Sequence, residues 1–439
     1  MASLTIDVAI IGGGPGGLEA AQQAARAGLK TAIISNSPPG GRATWSSLIP
    51  SKIWLKEAYQ WAQHASNKGF DASHLPKKIQ HFSQTLSNDY QKQLQQLGIH
   101  WITGSGTLTD PGRIQVEGLQ QEITTIYARY TIIATGSLPR FTEQLRPNGQ
   151  RIIAPRLMAQ LDQLPRSLIM IGGGVTGTEY ATVFAELGVD VTVVTDLPHL
   201  LPRLDPEISK TVEAFLQQSK GITLITHQPV SSVQQQEHQV SVVLSSGKTL
   251  QAEMAFIAIG RKADWQFATA ELRAQLSNTA GFVQHRSNSA TSVEGLYAVG
   301  DVTGAPMMVN RARWQARAAI HHILGEVPAE PVALIEAVFT HPPIASIRHP
   351  QRSATAEPHL RIDREFRPLV KSRLHEHTTG QLVVLVSKTD GMILEAHAFG
   401  PAAPEILAPF QLAINHNISW KNLQAVPLAH PTFSEIITA

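Results

Sequence analysis

The chain has 439 residues, 43% hydrophobic and 16% charged, with a formal net charge of +2 and no cysteine. The length predicts two to four domains with full cores, and the even charge balance offers no clustered basic face for nucleic acid. Absent thiols exclude structural disulfides and thiolate metal sites, and no apolar run reaches the ~18 to 20 residues of a membrane span.

The first predicted element is a strand over Ile6–Ile11. It begins so early that no signal peptide fits before it, which makes the cytoplasm the expected location. Residues 8–35 form one unit: a short apolar strand, a glycine turn, an Ala-rich helix and a second β-branched strand ending at Ser35. Gly12, Gly14 and Gly17 occupy the G-x-G-x-x-G positions, with Pro15 inside the turn. The first glycine permits the tight turn, the second a close approach to a pyrophosphate, and the third close packing of helix on strand. The helix N-terminus then offers free N–H groups and roughly half a positive charge to phosphates.

Residues 40–52 read Gly40-Gly41-Arg42-Ala43-Thr44-Trp45-Ser46-Ser47-Leu48-Ile49-Pro50-Ser51-Lys52 and open a helix-rich stretch running to about residue 100. Strand-like segments follow as far as the turn Ala134-Thr135-Gly136-Ser137, then a crossover from Pro139 to Arg166. Residues 168–195 repeat the first unit: Gly172, Gly174, Gly177 and Gly188 fall on Gly12, Gly14, Gly17 and Gly28. The repeat ends at Thr195, with Asp196 next. Two such units, each in strand–turn–helix context, predict two bound dinucleotides. Further along come Ala258-Ile259-Gly260-Arg261 and Leu296-Tyr297-Ala298-Val299-Gly300-Asp301-Val302. Glu326 to Glu330, with Pro328 and Pro331, reads as a linker. Residues 331–439 alternate strand and helix and carry Phe339-Thr340-His341-Pro342-Pro343, Ala396-His397-Ala398-Phe399-Gly400-Pro401 and His430-Pro431-Thr432-Phe433-Ser434-Glu435.

Together these segments resemble the pyridine nucleotide-disulfide oxidoreductases over essentially the whole chain. The resemblance implies an α/β fold with two Rossmann-like dinucleotide-binding domains, one for FAD and one for NAD, plus a C-terminal α+β dimerisation domain. Residues 1–149 and 266–330 are expected to make the FAD-binding parts, 150–265 the NAD(P)-binding domain, and 331–439 the interface of a homodimer. By the same resemblance FAD falls to Gly12, Gly14, Pro15, Gly17, Ser35, Asn36, Gly40, Gly41, Lys52, Thr135, Gly136 and Asp301. NAD falls to Gly172, Gly174, Gly177, Glu179, Asp196 and Gly260. Asp301 inherits a hydrogen bond to the FAD ribityl chain; its plainer reading is a turn-forming Asp.

The strand ends depart from the family. Ser35 stands where an acid grips the adenosine ribose, and losing a charged hydrogen bond of about 1.5–3 kcal/mol weakens FAD about 10- to 100-fold. Asn36 or Ser35 recovers part of that. In the second unit the acid position is Thr195, followed by Asp196, where NADP-preferring relatives place an arginine. A carboxylate there repels a 2′-phosphate and accepts from a ribose hydroxyl, which favours NADH over NADPH.

The redox motif departs further. In the family residues 40–52 read GG-x-C-x-x-x-x-C-I-P-S-K, and here Ala43 and Leu48 replace the two cysteines. A thiolate is the nucleophile of disulfide exchange, and neither residue substitutes for it. Ala43 and Leu48 predict an apolar pocket over one flavin face that suits a flat acceptor; Trp45, between them, reads rather as core packing. Lys52 and Glu179 inherit an ion pair beside the flavin N5, against the alternative of two unrelated surface charges. His430, held by Glu435, inherits an acid/base role at the opposite subunit's flavin. Without thiols it either protonates a quinone-like acceptor or is a relic that packs the interface. The histidine groupings His321-His322, His375/His377 and His341/His349 lack acidic neighbours at ligand spacing, so no metal site is expected.

The expected function is FAD-dependent oxidation of NADH, with electrons passed to a non-disulfide acceptor such as a quinone. A soluble pyridine nucleotide transhydrogenase is one alternative, resembled in Thr44 and the missing second cysteine but opposed by Asp196. The other is a non-catalytic FAD/NAD-binding sensor or scaffold. The missing thiols and Ser35 suit it; the retained Lys52, Glu179, His430 and Glu435 do not.

Overall fold

The computed structural model describes residues 2–63, 69–118, 122–326, 330–376 and 378–439. The middle of the expected linker and His377 lie outside these residues.

The chain begins with β1 (Ala2–Ile11), α1 (Pro15–Arg26) and β2 (Thr31–Ser35). Three helices follow, α2 (Gly41–Trp45), α3 (Leu48–Gln63) and α4 (Leu75–Gln96). Then come β3 (His100–Thr103), β4 (Ser105–Asp110), β5 (Arg113–Glu117) and β6 (Ile123–Ile133). β1 starts four residues before the predicted strand, because it pairs with β6 from Ala2↔Thr124 to Ile11↔Ile133. Cross-strand pairing carries the polar Ser3 and Thr5, which periodicity alone leaves out.

The expected crossover contains a strand of its own. After β7 (Ser137–Pro139), the two residues of β8 (Ile152–Ile153) join a second sheet. That sheet continues with β9 (Ser167–Ile171), α5 (Val175–Glu186), β10 (Asp190–Val194), α6 (Pro206–Lys220) and β11 (Thr223–Ile225). An antiparallel trio, β12 (Val230–Gln235), β13 (Val240–Leu244) and β14 (Thr249–Ala252), precedes β15 (Met254–Ile257). The second sheet has the order β11-β10-β9-β15-β8 and is parallel throughout. β16 (Arg261–Ala263) pairs antiparallel with β7, so the chain enters and leaves this region through one short ribbon.

The chain then returns to the first sheet. α7 (Ala270–Leu276) leads to β17 (Leu296–Ala298), which pairs with the C-terminal half of β6, and α8 (Val309–Ile323) packs beside α1. The remainder is an antiparallel sheet of β18 (Glu336–Val338), β19 (Ile344–Arg348), β20 (His359–Glu365), β21 (Gln381–Ser387) and β22 (Ile393–Phe399). α9 (Val370–Leu374), α10 (Ala403–Ile406), α11 (Ala408–Asn415), α12 (Trp420–Gln424) and a 3₁₀ turn over Phe433–Ile437 accompany it.

One packing contact matters most for the site. α3 lies against α5, with Trp54 stacked near Phe184 and both fully buried. The Trp54 indole donates to the Met158 carbonyl at 2.7 Å, which fixes the ring. This seam brings a helix from the first half of the chain against the helix of the second glycine turn. Among the described residues no helix is long and apolar enough to cross a membrane.

Candidate functional site

The two glycine turns are built alike. Gly12 and Gly172 both have φ +115°, and a Cβ on either would lie 2.4 Å from a carbonyl oxygen, of Ala134 and Ala258 respectively. A Cβ on Gly17 or Gly177 would lie 2.0 Å from the carbonyl oxygen of Gly12 or Gly172, so helix and strand touch there. Gly14 and Gly174 differ in kind. Their backbones are extended, φ −78° in both, and a Cβ on either would meet no protein atom within 4 Å. Nothing in the protein demands glycine at these two positions. The open space lies at the N-termini of α1 and α5, where backbone N–H groups point outward, and it fits a dinucleotide pyrophosphate in each turn.

The strand ends also match each other. Ser35 is buried, and its hydroxyl accepts from Ser37 N at 3.2 Å while donating to Ser37 O. Thr195 is buried, and its hydroxyl accepts from Leu197 N at 3.2 Å. Each hydroxyl closes its own turn. The next residue, Asn36 or Asp196, is exposed and is the one left to meet a ribose. Asn36 lines the central cavity and donates weakly to the Ser105 hydroxyl at 3.4 Å.

That cavity, of about 650 Å³, is walled by the first glycine turn, α2, the start of α3, the start of α5, the Asp301 turn and the β18 edge of the C-terminal antiparallel sheet. α2 reaches the first turn by a tight approach: a Cβ on Gly41 would lie 3.1 Å from Gly14 N and Cα. Ala43 and Leu48 both line the cavity. Trp45 is not among its walls, and its indole points toward the Pro39 carbonyl at 3.4 Å, in line with packing rather than contact with a ligand. Thr135 and Gly136 line it opposite α2, and Gly260 sits at the turn before β16.

Lys52 Nζ lies 2.9 Å from both carboxylate oxygens of Glu179. The pair is not two unrelated surface charges: it joins α3 to α5 in the cavity wall. Glu179 also accepts from Phe339 N at 2.9 Å, and Lys52 Nζ stands 4.1 Å over the Phe339 ring. Burial pushes the Lys52 ammonium below its usual range, and the Glu179 charge opposes that push. Asp301 accepts from the Ser137 hydroxyl at 2.8 Å, and Arg261 donates to the same hydroxyl at 2.6 Å. Buried Gln315 on α8 fixes the turn by accepting from Gly300 N at 2.8 Å.

His430 is placed elsewhere. Its Nδ1 lies 2.8 Å from Glu435 Oε1, and Glu435 closes a capping box on Thr432 N. The hydrogen bond from His430 leads the causes that hold the Glu435 carboxyl below its usual range. The His430 side chain is 63% exposed and does not wall this chain's cavity. A single chain therefore brings Lys52 and Glu179 together but leaves His430 outside. Of the other histidines, His341 pairs with Glu186 at 3.0 Å, His322 with the Tyr297 hydroxyl at 2.9 Å, and His321 with Glu326.

Sequence reasoning missed Arg42, Asp264, Gln315 and the site role of Phe339. Arg42 lies inside the segment 40–52, but its partner Asp264 is 222 residues away. Gln315 had a local signal: an amide among Ala312, Ala316 and Ala319 on the apolar side of a helix.

A family model described as pyridine nucleotide-disulphide oxidoreductase matches residues 6–316, and its dimerisation domain matches residues 335–439. A dihydrolipoyl dehydrogenase from Chlorobaculum tepidum is 29% identical, covering 98% of this chain and 95% of its own. An NAD(P)H dehydrogenase (quinone) from Mycobacterium tuberculosis is also 29% identical, covering 98% of this chain and 92% of its own. The crystal structure of LpdA from Mycobacterium tuberculosis superposes with a TM-score of 0.90 at 28% identity, over 100% of this chain and 98% of that one.

Proposed function

The chain belongs to the pyridine nucleotide-disulphide oxidoreductase family, and from that premise we propose that it oxidises NADH through FAD and reduces an acceptor that is not a disulfide, most simply a quinone. One observation carries the reading: Ala43 and Leu48 wall the cavity where the family's motif has cysteines, and the chain has none anywhere. The quinone dehydrogenase among its relatives supports the choice of acceptor.

FAD, when bound, would supply the two-electron redox chemistry between reduced nicotinamide and the acceptor. The protein's own residues do the rest. The glycine turns of α1 and α5 would seat the two pyrophosphates, and Asp301, held through Ser137 and Arg261, would hold the ribityl chain. Lys52, fixed by both oxygens of Glu179, places one positive charge at the cavity wall, and the Phe339 N–H holds the carboxylate still. Leu48 and Ala43 keep one side of the cavity apolar, which favours a flat apolar ring as the acceptor. His430, oriented by Glu435, carries a proton to the acceptor from the second subunit of a homodimer. Asp196 selects NADH by repelling a 2′-phosphate. It also argues against transhydrogenase, which needs NADP in the same seat. The intact Lys52–Glu179 pair argues against a purely structural nucleotide-binding protein.

The test is rapid mixing. NADH should bleach the flavin, a quinone should restore its colour, and lipoamide, glutathione disulfide and thioredoxin should give no turnover. Disulfide turnover, or a colourless protein that takes up no added FAD, would overturn the proposal.

A further inference from the structure

Six charged side chains wall the central cavity among the described residues: Arg42, Lys52, Arg261, Glu179, Asp264 and Asp301. They fall into three pairs of opposite sign. Arg42 Nη1 lies 2.8 Å from Asp264, Lys52 2.9 Å from Glu179, and Arg261 Nε 3.9 Å from Asp301. The cavity is thus electrically balanced before any ligand enters. A dinucleotide brings a diphosphate with two negative charges, and the dipole at the start of α1 offsets only about half of one.

The three cations are not equally free to answer it. Lys52 is clasped by both oxygens of Glu179 and covered by Phe339. Arg261 is spent on the Ser137 hydroxyl, the Ser137 carbonyl and Asp301. Arg42 is the most open of the three, its side chain 35% exposed against 25% for the other two. It uses one nitrogen on Asp264 and another on the Thr135 carbonyl. A guanidinium has five N–H donors, so three remain, and its planar fork can serve a carboxylate on one edge and a phosphate on another.

Its position is set rather than loose. Arg42 follows Gly41, which is packed against Gly14 at the first glycine turn. Asp264 is itself held: its N–H donates to Gly136 O at 3.1 Å, its carbonyl accepts from the Thr135 hydroxyl at 2.9 Å, and its carboxylate accepts from Gln266 N. Gly136 leaves the guanidinium its space, since a Cβ there would lie 3.6 Å from Arg42 Nη2.

We infer that Arg42 binds the diphosphate of the dinucleotide in the first glycine turn, with Asp264 as its positioning residue. The inference rests on FAD occupying that turn. Arg42 supplies there a charged contact that the neutral Ser35 and Asn36 do not supply at the ribose end.

The experiment titrates FAD into protein freed of flavin and reads the dissociation constant. Arg42→Ala should raise it about 10- to 100-fold, the loss of one charged hydrogen bond, and Arg42→Lys should recover part. The wild-type constant should rise with potassium chloride, and Arg42→Ala should flatten that dependence, because the pair is open enough to be screened. NAD binding should be unchanged in every variant, which shows that the fold is intact. Asp264→Asn keeps a hydrogen-bond acceptor while removing the competing charge, so FAD should bind as tightly as to wild type or more so. Wild-type affinity and salt dependence in Arg42→Ala would overturn this inference alone. An equal loss in Asp264→Asn would also overturn it, by making Arg42 a strut between α2 and the Asp264 loop. No FAD uptake by wild-type protein would instead sink the flavin reading beneath it.

Discussion

On the proposed reading, one exposed side chain, Asp196, sets the nucleotide preference. The hydroxyl of Thr195 is taken by Leu197 N, which leaves the exposed carboxylate one residue later as the group proposed to meet the nucleotide's ribose. NADH should therefore reduce the flavin much faster than NADPH, and Asp196→Arg should narrow the gap by exchanging repulsion of a 2′-phosphate for attraction. Single-wavelength stopped-flow traces with each nucleotide measure this, and equal wild-type rates would move the determinant elsewhere. The sequence displayed both missing acids, Ser35 and Thr195, because a motif position can be counted along the chain. It did not display that each hydroxyl closes on the residue two further on, since that depends on the backbone turn. Arg42 was unreadable for the opposite reason: its meaning depends on Asp264, far away in sequence and adjacent in space.

Elements explain why Lys52 and Glu179 were legible and His430 only half so. α3 and α5 each carry their charge near the N-terminal end, and the buried Trp54–Phe184 seam sets the two helices at a fixed distance. Apolar patterning foretold two helices; only their packing shows them touching. The 3₁₀ turn over Phe433–Ile437 is capped by Glu435, which reaches back to Thr432 N with one oxygen and to His430 with the other. This turn presents an oriented imidazole to the outside of the chain. His430→Ala should leave bleaching by NADH intact and slow reoxidation by quinone about 10²- to 10⁴-fold, the usual range for general acid catalysis. Mixing it with Lys52→Ala chains should give hybrid dimers with one complete site each. Unchanged reoxidation in His430→Ala would make the turn a packing device.

Across the whole molecule, the first sheet, the helix of the second glycine turn and the C-terminal antiparallel sheet converge on one cavity, and a charged seam ties α6 to that C-terminal sheet. Asp205 caps α6, pairs with Arg361 on β20 at 2.8 Å and donates its N–H to buried His397 on β22, while within that sheet Glu395 pairs with Arg348 at 3.1 Å and with His397. Burial alone would raise the Asp205 carboxyl; the Arg361 hydrogen bond and charge outweigh it and hold it low. Burial likewise opposes Glu395, and His397 and Arg348 prevail. Carboxyls held low in the folded state stabilise it fully above their unfolded-chain values of 3.8 and 4.5. That contribution is lost as pH falls through the lower native values. Asp205→Asn should thus lower the unfolding temperature at pH 7, by the ~1–3 kcal/mol typical of a broken charged hydrogen bond. It should also lose less on acidification than the wild type does. Parallel acid limbs in calorimetry would show that this seam is not the acid-sensitive one. The glycine turns carry a different consequence. Each strand end is finished by its own hydroxyl, so neither seat needs a nucleotide to acquire its shape, and departure of one breaks no hydrogen bond within the turn. On the proposed reading, a flavin seated there would be a tenant, much as the nicotinamide would be. Stripping and reloading should then need no refolding, and the colour of a preparation should track its history of dilution, not the soundness of its fold.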